Sequence, residues 1–261
     1  MSTLPYHRMY RPVKKSIPNS GYSEWAYIID KEYSQNPEHY IRAFSIIQND
    51  IFRLFEYIEP SDDNLKTHSF RIHELFTRIC IELESNFKAI LNENKYTPKD
   101  SSNKLRKEKQ WKFDIDYKLV NKSHHLDEYK AIFPIWNGDK KTFQPFLTWK
   151  NNETPSWWSA YNKSKHNRNN EFKSANFENL LNSYAALFIV LTSQFLDQEF
   201  KPGPKYLQEQ GYCYYGGGFG IGGYLIPDLP ENWNNDELYN FNWETLKKEE
   251  IRFQKFDYDA I

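Results

Sequence analysis

The sequence predicts a mainly α-helical protein, an antiparallel helical bundle with a small β-hairpin insertion and irregular N- and C-terminal arms. Three observations predict it. Apolar residues recur at three- and four-residue steps in three long segments, the signature of one buried helical face. Proline or short polar turns punctuate those segments. Between the second and third of them, two aromatic stretches flank Asn137-Gly138-Asp139, and Asn-Gly between strand-like runs signals a hairpin.

Residues 1–34 hold Pro5, Pro12 and Pro18 among scattered aromatics without a period, an arm lying over the core. The bundle then occupies 35–200. Its first helix starts near Pro37, where proline suits a first turn. Ile41, Phe44, Ile47, Ile51, Phe55 and Ile58 form its stripe, and Pro60 with Ser61-Asp62-Asp63-Asn64 ends it. The second helix runs from about His68 to Asn92, with Phe76, Ile79, Cys80, Leu83, Phe87, Ile90 and Leu91 on one side. Arg71, Glu74, Arg78, Glu82 and Ser85 lie on the other. Two amphipathic helices joined by a short polar turn pack antiparallel.

The insertion spans about 95–155. A basic polar stretch with Lys104, Arg106, Lys107 and Lys109 reads as solvated, and the hairpin joins Tyr129–Trp136 to Thr142–Trp149. Thr154-Pro155-Ser156 opens a short helix from Trp157 to about His166. After a polar turn, a final helix covers roughly Asn176 to Phe200, apolar all round from Tyr184 to Leu191. Residues 201–261 form a Gly-, Pro- and aromatic-rich tail.

Composition narrows the function. The 261 residues carry 34 Lys+Arg against 35 Asp+Glu, which excludes a uniformly basic coat but leaves room for a local basic patch. Hydrophobic residues are 39%, yet 19 Tyr, 19 Phe and 8 Trp supply the volume for a sizeable core. Two cysteines, Cys80 and Cys213, are too few for a disulfide scaffold and favour a reducing compartment. The first sixteen residues lack the apolar core of a signal peptide, and no apolar run is long enough to span a bilayer. The expected location is the cytoplasm, without a membrane partner.

Most motifs dissolve on inspection. Gly218, Gly220 and Gly223 match G-x-G-x-x-G, but Pro227 and Pro230 follow where a dinucleotide site needs a helix. His68 and His73 are five apart, on diverging sides of a helix, and His124 and His125 are adjacent and expected to be exposed. Neither pair offers a ligand set, so no metal and no cofactor is expected.

The segment Ser156-Trp-Trp-Ser-Ala-Tyr-Asn-Lys-Ser-Lys-His-Asn-Arg168 is different. Asn162 and His166 are four apart and share a helical face. Lys165 and Arg168 set two fixed positive charges beside the imidazole, and a neighbouring cation favours the neutral, proton-accepting form of a histidine. Arginine adds bidentate recognition of phosphate oxygens. The group suits an anion whose charge rises during reaction, such as a phosphodiester. The plainer alternative is a helix cap, because the macrodipole favours Lys, His and Arg in a last turn.

A long helix pair, a short helix ending in Tyr161-Asn-Lys-Ser-Lys-His-Asn-Arg168, then Phe172-Lys-Ser-Ala-Asn-Phe-Glu-Asn-Leu-Leu181 and a long apolar helix resembles the HEPN superfamily over residues 37–93 and 156–200. The family's usual Arg ahead of the His is replaced by Asn162 and Lys165, with Arg168 after it, an N-x-x-K-H-x-R variant. The resemblance implies a bundle that dimerises around two facing motifs. It also implies metal-independent cleavage or binding of RNA, as in toxin–antitoxin and antiviral defence systems, with no DNA-specific signal. By the same resemblance His166 is the acid/base, Lys165 and Arg168 neutralise the phosphorane, and Asn162 orients the imidazole or a phosphate oxygen. Lys163, Tyr161 and Glu82 complete the site as substrate-binding positions. The competing reading is a non-catalytic protein-interaction module, with the aromatic hairpin and tail as its surface and the basic motif as a cap.

Overall fold

The computed structural model describes residues 3–200, 221 and 224–261; the glycine cluster, its G-x-G-x-x-G spacing and Cys213 lie outside the described residues. The described residues form α1 (Ser20–Ser23), α2 (Pro37–Phe55), α3 (Phe70–Glu93), α4 (Val120–His124), strands β1 (Lys130–Ile132) and β2 (Thr142–Phe143), α5 (Ser156–His166), α6 (Arg168–Glu171), α7 (Phe177–Phe195), strand β3 (Ile226–Asp228) and α8 (Trp243–Leu246). The protein is mainly helical, with one small antiparallel sheet.

Each long helix begins where its sequence offers a start. Pro37 sits in the first turn of α2 behind a left-handed Asn36. Ser69 caps α3, its hydroxyl accepting from the Ile72 amide at 3.2 Å. Asn176 caps α7, accepting from the Asn179 amide at 3.0 Å. Such side chains satisfy amides that have no partner inside the helix. The stripes meet as their spacing requires. Ile41, Phe44, Ile47, Ile51 and Leu54 of α2 are buried, as are Ile72, Leu75, Phe76, Ile79, Cys80, Leu83, Phe87, Ile90 and Leu91 of α3. Phe55 is only half-buried.

The central helix is α7, packed against α3, α5 and α2. Every residue from Ser183 to Phe195 is buried, and most of its polar side chains, the Thr192 hydroxyl excepted, have internal partners. The Ser183 and Ser193 hydroxyls donate to Leu180 and Val190 carbonyls, and the Tyr184 hydroxyl accepts from Gln48 Nε2 at 2.9 Å. The helix stops at Phe195, short of Phe200, because Leu196 takes a positive φ of 55°.

The hairpin forms, with Ala131 opposite Phe143 and Ile132 opposite Thr142, but its strands are shorter than the aromatic stretches. Leu147–Asn151 winds into a 3-10 turn instead. Gly138 carries φ +133°, and a Cβ there would lie 2.5 Å from Asp62 Oδ2. That carboxylate accepts from the Asp139 and Lys140 amides and from Trp136 Nε1, clamping the hairpin tip onto the α2–α3 turn. The third strand, β3, pairs with the free side of β1.

The arms carry only short elements, α1 in the first and β3 and α8 in the described part of the second, and they supply core rather than cover. Tyr27, Tyr33, Tyr239, Phe241, Trp243 and Phe253 are buried in the same apolar cluster as the helices. The Tyr27 ring meets Tyr33, Tyr239 and Phe241 edge-on at 5.4–5.7 Å, a favoured geometry for aromatic pairs. Tyr6 bridges Gln254 and Val13 bridges Tyr239. Arg8 is wholly buried: its guanidinium donates to Glu93, Gln194 Oε1 and the Gln35 carbonyl, and lies 4.5 Å from the centre of the Tyr40 ring. Asn94 joins three segments, donating to His7 and Ile90 carbonyls and accepting from the Phe256 amide.

Candidate functional site

The motif lies at the C-terminal end of α5. Pro155 precedes the helix, and Trp157 anchors it by donating from Nε1 to the Pro145 carbonyl at 2.8 Å. Trp157, Trp158, Ala160, Tyr161 and Ser164 face inward. Asn162 is half-buried, and Lys163, Lys165 and His166 are exposed on the opposite side. Asn167, at φ −137° and ψ 53°, breaks the helix, so Arg168 starts α6 rather than continuing α5. The exposed Arg168 side chain thus leaves along a new axis beside His166.

Lys163, His166, Arg168 and Lys173 form no ion pair or side-chain hydrogen bond with any described residue, and the Lys165 ammonium has only the Tyr161 ring, 5.1 Å from its centre. Some cations elsewhere are held: Arg78 by Asp50, Arg106 by the buried Asp116, Lys66 and Lys140 by Glu178, Arg252 by Asp30. The motif is a concentration of positive charge without internal neutralisation. Asn162 and His166 share a face, but no hydrogen bond joins them.

Two candidates behave otherwise than the sequence suggests. Tyr161 is 1% exposed, its ring set between Phe76 and Trp158. Burial pushes its phenol up, with smaller contributions from Cys80 and Glu84. It is the floor beneath Lys165 rather than a surface for substrate. Glu82 is half-buried, and burial pushes its carboxyl up, partly offset by His39 and Arg78; its charged neighbours belong to the α2 side. The carboxylate on the motif's side of α3 is Glu84: burial pushes the Cys80 thiol up, Glu84 adds to this and Lys165 opposes it. Spacing carried that signal, since Glu84 is four residues beyond Cys80 and shares its face.

The histidines also need correction. His124 is buried, not exposed. Its Nε2 donates to the Arg8 carbonyl at 2.8 Å, and its Nδ1 lies 2.8 Å from the Ser123 hydroxyl, which itself meets the Tyr258 hydroxyl at 2.7 Å. Burial pulls this imidazole down to about 4, assisted by Arg11 and His125 and opposed by the Arg8 and Val120 carbonyls. Ser123, His124 and Tyr258 resemble a catalytic relay in order, but all are sealed from solvent and act as a latch between α4 and both arms. His125, closing α4 at φ 53°, meets Glu237 at 2.8 Å.

His68 and His73 do not diverge. α3 starts at Phe70, so His68 is outside the helix, and both rings approach Phe172, at 6.0 and 5.8 Å. Phe70 reaches the same ring at 4.8 Å. Their gathering beside the motif comes from the turn after α6, which folds against α5 and brings Phe172 to the start of α3.

No family model, curated protein or solved structure matches the chain. Among the described residues, no three His, Cys, Asp or Glu side chains group to hold a metal ion, and no helix is long and apolar enough to cross a membrane.

Proposed function

We propose that the chain is a HEPN-like RNA-binding and RNA-cleaving protein whose working groups are His166, Lys165, Arg168 and Asn162, with Lys163 extending the cation surface. The observation that carries this reading is the gathering of Lys163, Lys165, His166 and Arg168 at the junction of α5 and α6, all exposed and without a carboxylate partner among the described residues. A phosphodiester supplies the missing negative charge. His166 takes the proton from a ribose 2′-hydroxyl, the 2′-oxygen attacks the adjacent phosphorus, and the 5′-oxygen leaves with a proton. Lys165 and Arg168 neutralise the phosphorane. A second copy of the chain faces the first across a twofold axis and completes the cleft. The reaction draws its positive charge from these side chains and not from a metal, and its setting is cytoplasmic defence or toxin chemistry.

The placement of Lys163, Lys165 and His166 in the last turn of α5 favours a second reading, a helix cap on a non-catalytic interaction module. One experiment separates the two. Purified protein is incubated with RNA in the presence of a chelator, beside His166→Ala. Cleavage reduced by about 10²-fold or more in the variant, with an unchanged thermal midpoint, supports the enzyme. Wild-type-like cleavage by His166→Ala, or activity that requires added divalent metal, overturns it.

A further inference from the structure

We infer that Phe70 and Phe172 form a stacking platform for an unpaired RNA base, set at the edge of the basic cluster; this rests on the RNA reading above. Phe70 occupies the first turn of α3, and its ring is 72% exposed, which no packing requirement of the helix explains. Its partner Phe172, half-buried, meets it at 4.8 Å with the rings inclined at 48°. Behind Phe172 lies His73, nearly parallel to it at 25°, with His68 on its edge. Four aromatic rings thus share one corner, with Phe70 and His68 exposed at its rim.

The corner adjoins the motif through the backbone. Arg168 and Phe172 are four residues apart, and Phe172 keeps helical dihedrals at φ −56° and ψ −39°. Glu171 between them departs from the helix at φ −109° and ψ 16°, and the turns on either side of it both pack against α5, whose end carries the motif. Lys173 follows directly, exposed and without an ion pair among the described residues. Aromatic faces alternating with uncompensated cations are what a nucleic-acid strand requires, because bases stack on the rings while the backbone follows the charges. An apolar protein partner would bury the same phenyl ring but would strip water from Arg168 and Lys173 without replacing it. A strand of RNA satisfies both chemistries together. In duplex RNA the bases already stack on one another, so the platform selects a base held out of a helix.

The test is fluorescence anisotropy with two labelled probes of equal phosphate number. One is a 2′-O-methyl uridine oligomer, which resists attack by its own 2′-oxygen, and the other is an abasic oligomer. The wild type should prefer the base-bearing probe by about tenfold. Phe70→Ala should erase that preference, and Phe70→Trp should keep it. Lys165→Ala and Arg168→Ala should weaken both probes alike. Exposure of Phe70 makes its substitution harmless to folding, which a thermal midpoint checks. If the charge variants leave binding unchanged, the RNA reading itself fails, and the platform with it. If they weaken binding while Phe70→Ala retains the preference for bases, the platform is overturned and the RNA reading stands. If Phe70→Ala leaves RNA affinity intact but lowers the mass measured by light scattering, the patch is a self-association surface and the inference is overturned.

Discussion

Acidification should loosen this fold through one histidine, and the size of the effect follows from its burial. His124 is inaccessible, and its imidazole is held near pKa 4 in place of the ordinary 6.5. The folded state therefore keeps it neutral while the unfolded chain takes up a proton as pH falls below about 6.5. Protons favour unfolding throughout that window. Stability is fully present above about pH 6.5, declines below it, and the decline levels off near pH 4. The full gap corresponds to about 3 kcal/mol, of which about 2 kcal/mol is lost by pH 5. Stopping at pH 5 keeps clear of Asp62, Glu178, Glu237 and Asp257, whose carboxyls are lowered and act further down. Glu82, whose carboxyl is raised, works in the opposite sense. Urea unfolding between about pH 7.5 and pH 5, on wild type and His124→Gln, isolates the term. The glutamine amide can still donate toward the Arg8 carbonyl but does not titrate. The variant should begin less stable and lose about 2 kcal/mol less across the interval. Parallel pH profiles for the two proteins would refute the reasoning.

Gly138→Ala should cost about 1–3 kcal/mol, since its φ is +133° and the new Cβ meets the Asp62 carboxylate at 2.5 Å; the urea midpoint reads this. Arg8→Ala should cost about 3–5 kcal/mol by leaving Glu93 and Gln194 without their buried partner, seen as a large drop in thermal midpoint. Lys165→Ala and Arg168→Ala should each change stability by no more than about 1 kcal/mol while flattening the salt dependence of RNA affinity by about one phosphate contact. Light scattering at tens of micromolar should return about twice the 31.4 kDa chain mass if two motifs face each other; a monomer counts against the composite cleft.

α2 and α3 were legible because each buries one face, which writes a period into the sequence, and α7, buried all round from Ser183 to Phe195, because its apolar run is unbroken from Ala185 to Leu191. Asn176 was readable as the start of the last helix because it caps it, whereas α3 starts at Phe70 behind its Ser69 cap, two residues beyond the expected His68. The arms were not, because Tyr27, Tyr33, Tyr239 and Phe253 are buried by partners far along the chain and carry no period of their own. The strand β3 hid behind Pro227, which lacks an amide and reads as a breaker. Paired only with β1, it lies at the sheet's edge, where proline is tolerated. At the candidate site, the exposure of Lys165, His166 and Arg168 followed from their place at a helix end. Glu84 rather than Glu82 was signalled by its place four residues beyond Cys80; the inward turn of Tyr161 and the corner around Phe172 depend on how helices meet, which spacing along one helix cannot encode.

The clasp between the two arms also orders events in time. The Tyr6 amide donates to the Tyr239 hydroxyl across 233 positions, and Gln254 Nε2 to the Leu4 carbonyl across 250. A nascent chain leaves the ribosome with Tyr27 and Tyr33 already made and their ring partners Tyr239, Phe241, Trp243 and Phe253 more than two hundred residues of translation away. The α2–α3 pair, joined by a short turn, can collapse early, whereas contacts this distant in sequence come late and slowly. Until residues 239–253 emerge, Tyr27 and Tyr33 lack those partners, a surface for chaperones and a hazard for aggregation. Residues 4–33 are thus among the last of the described residues to find their place.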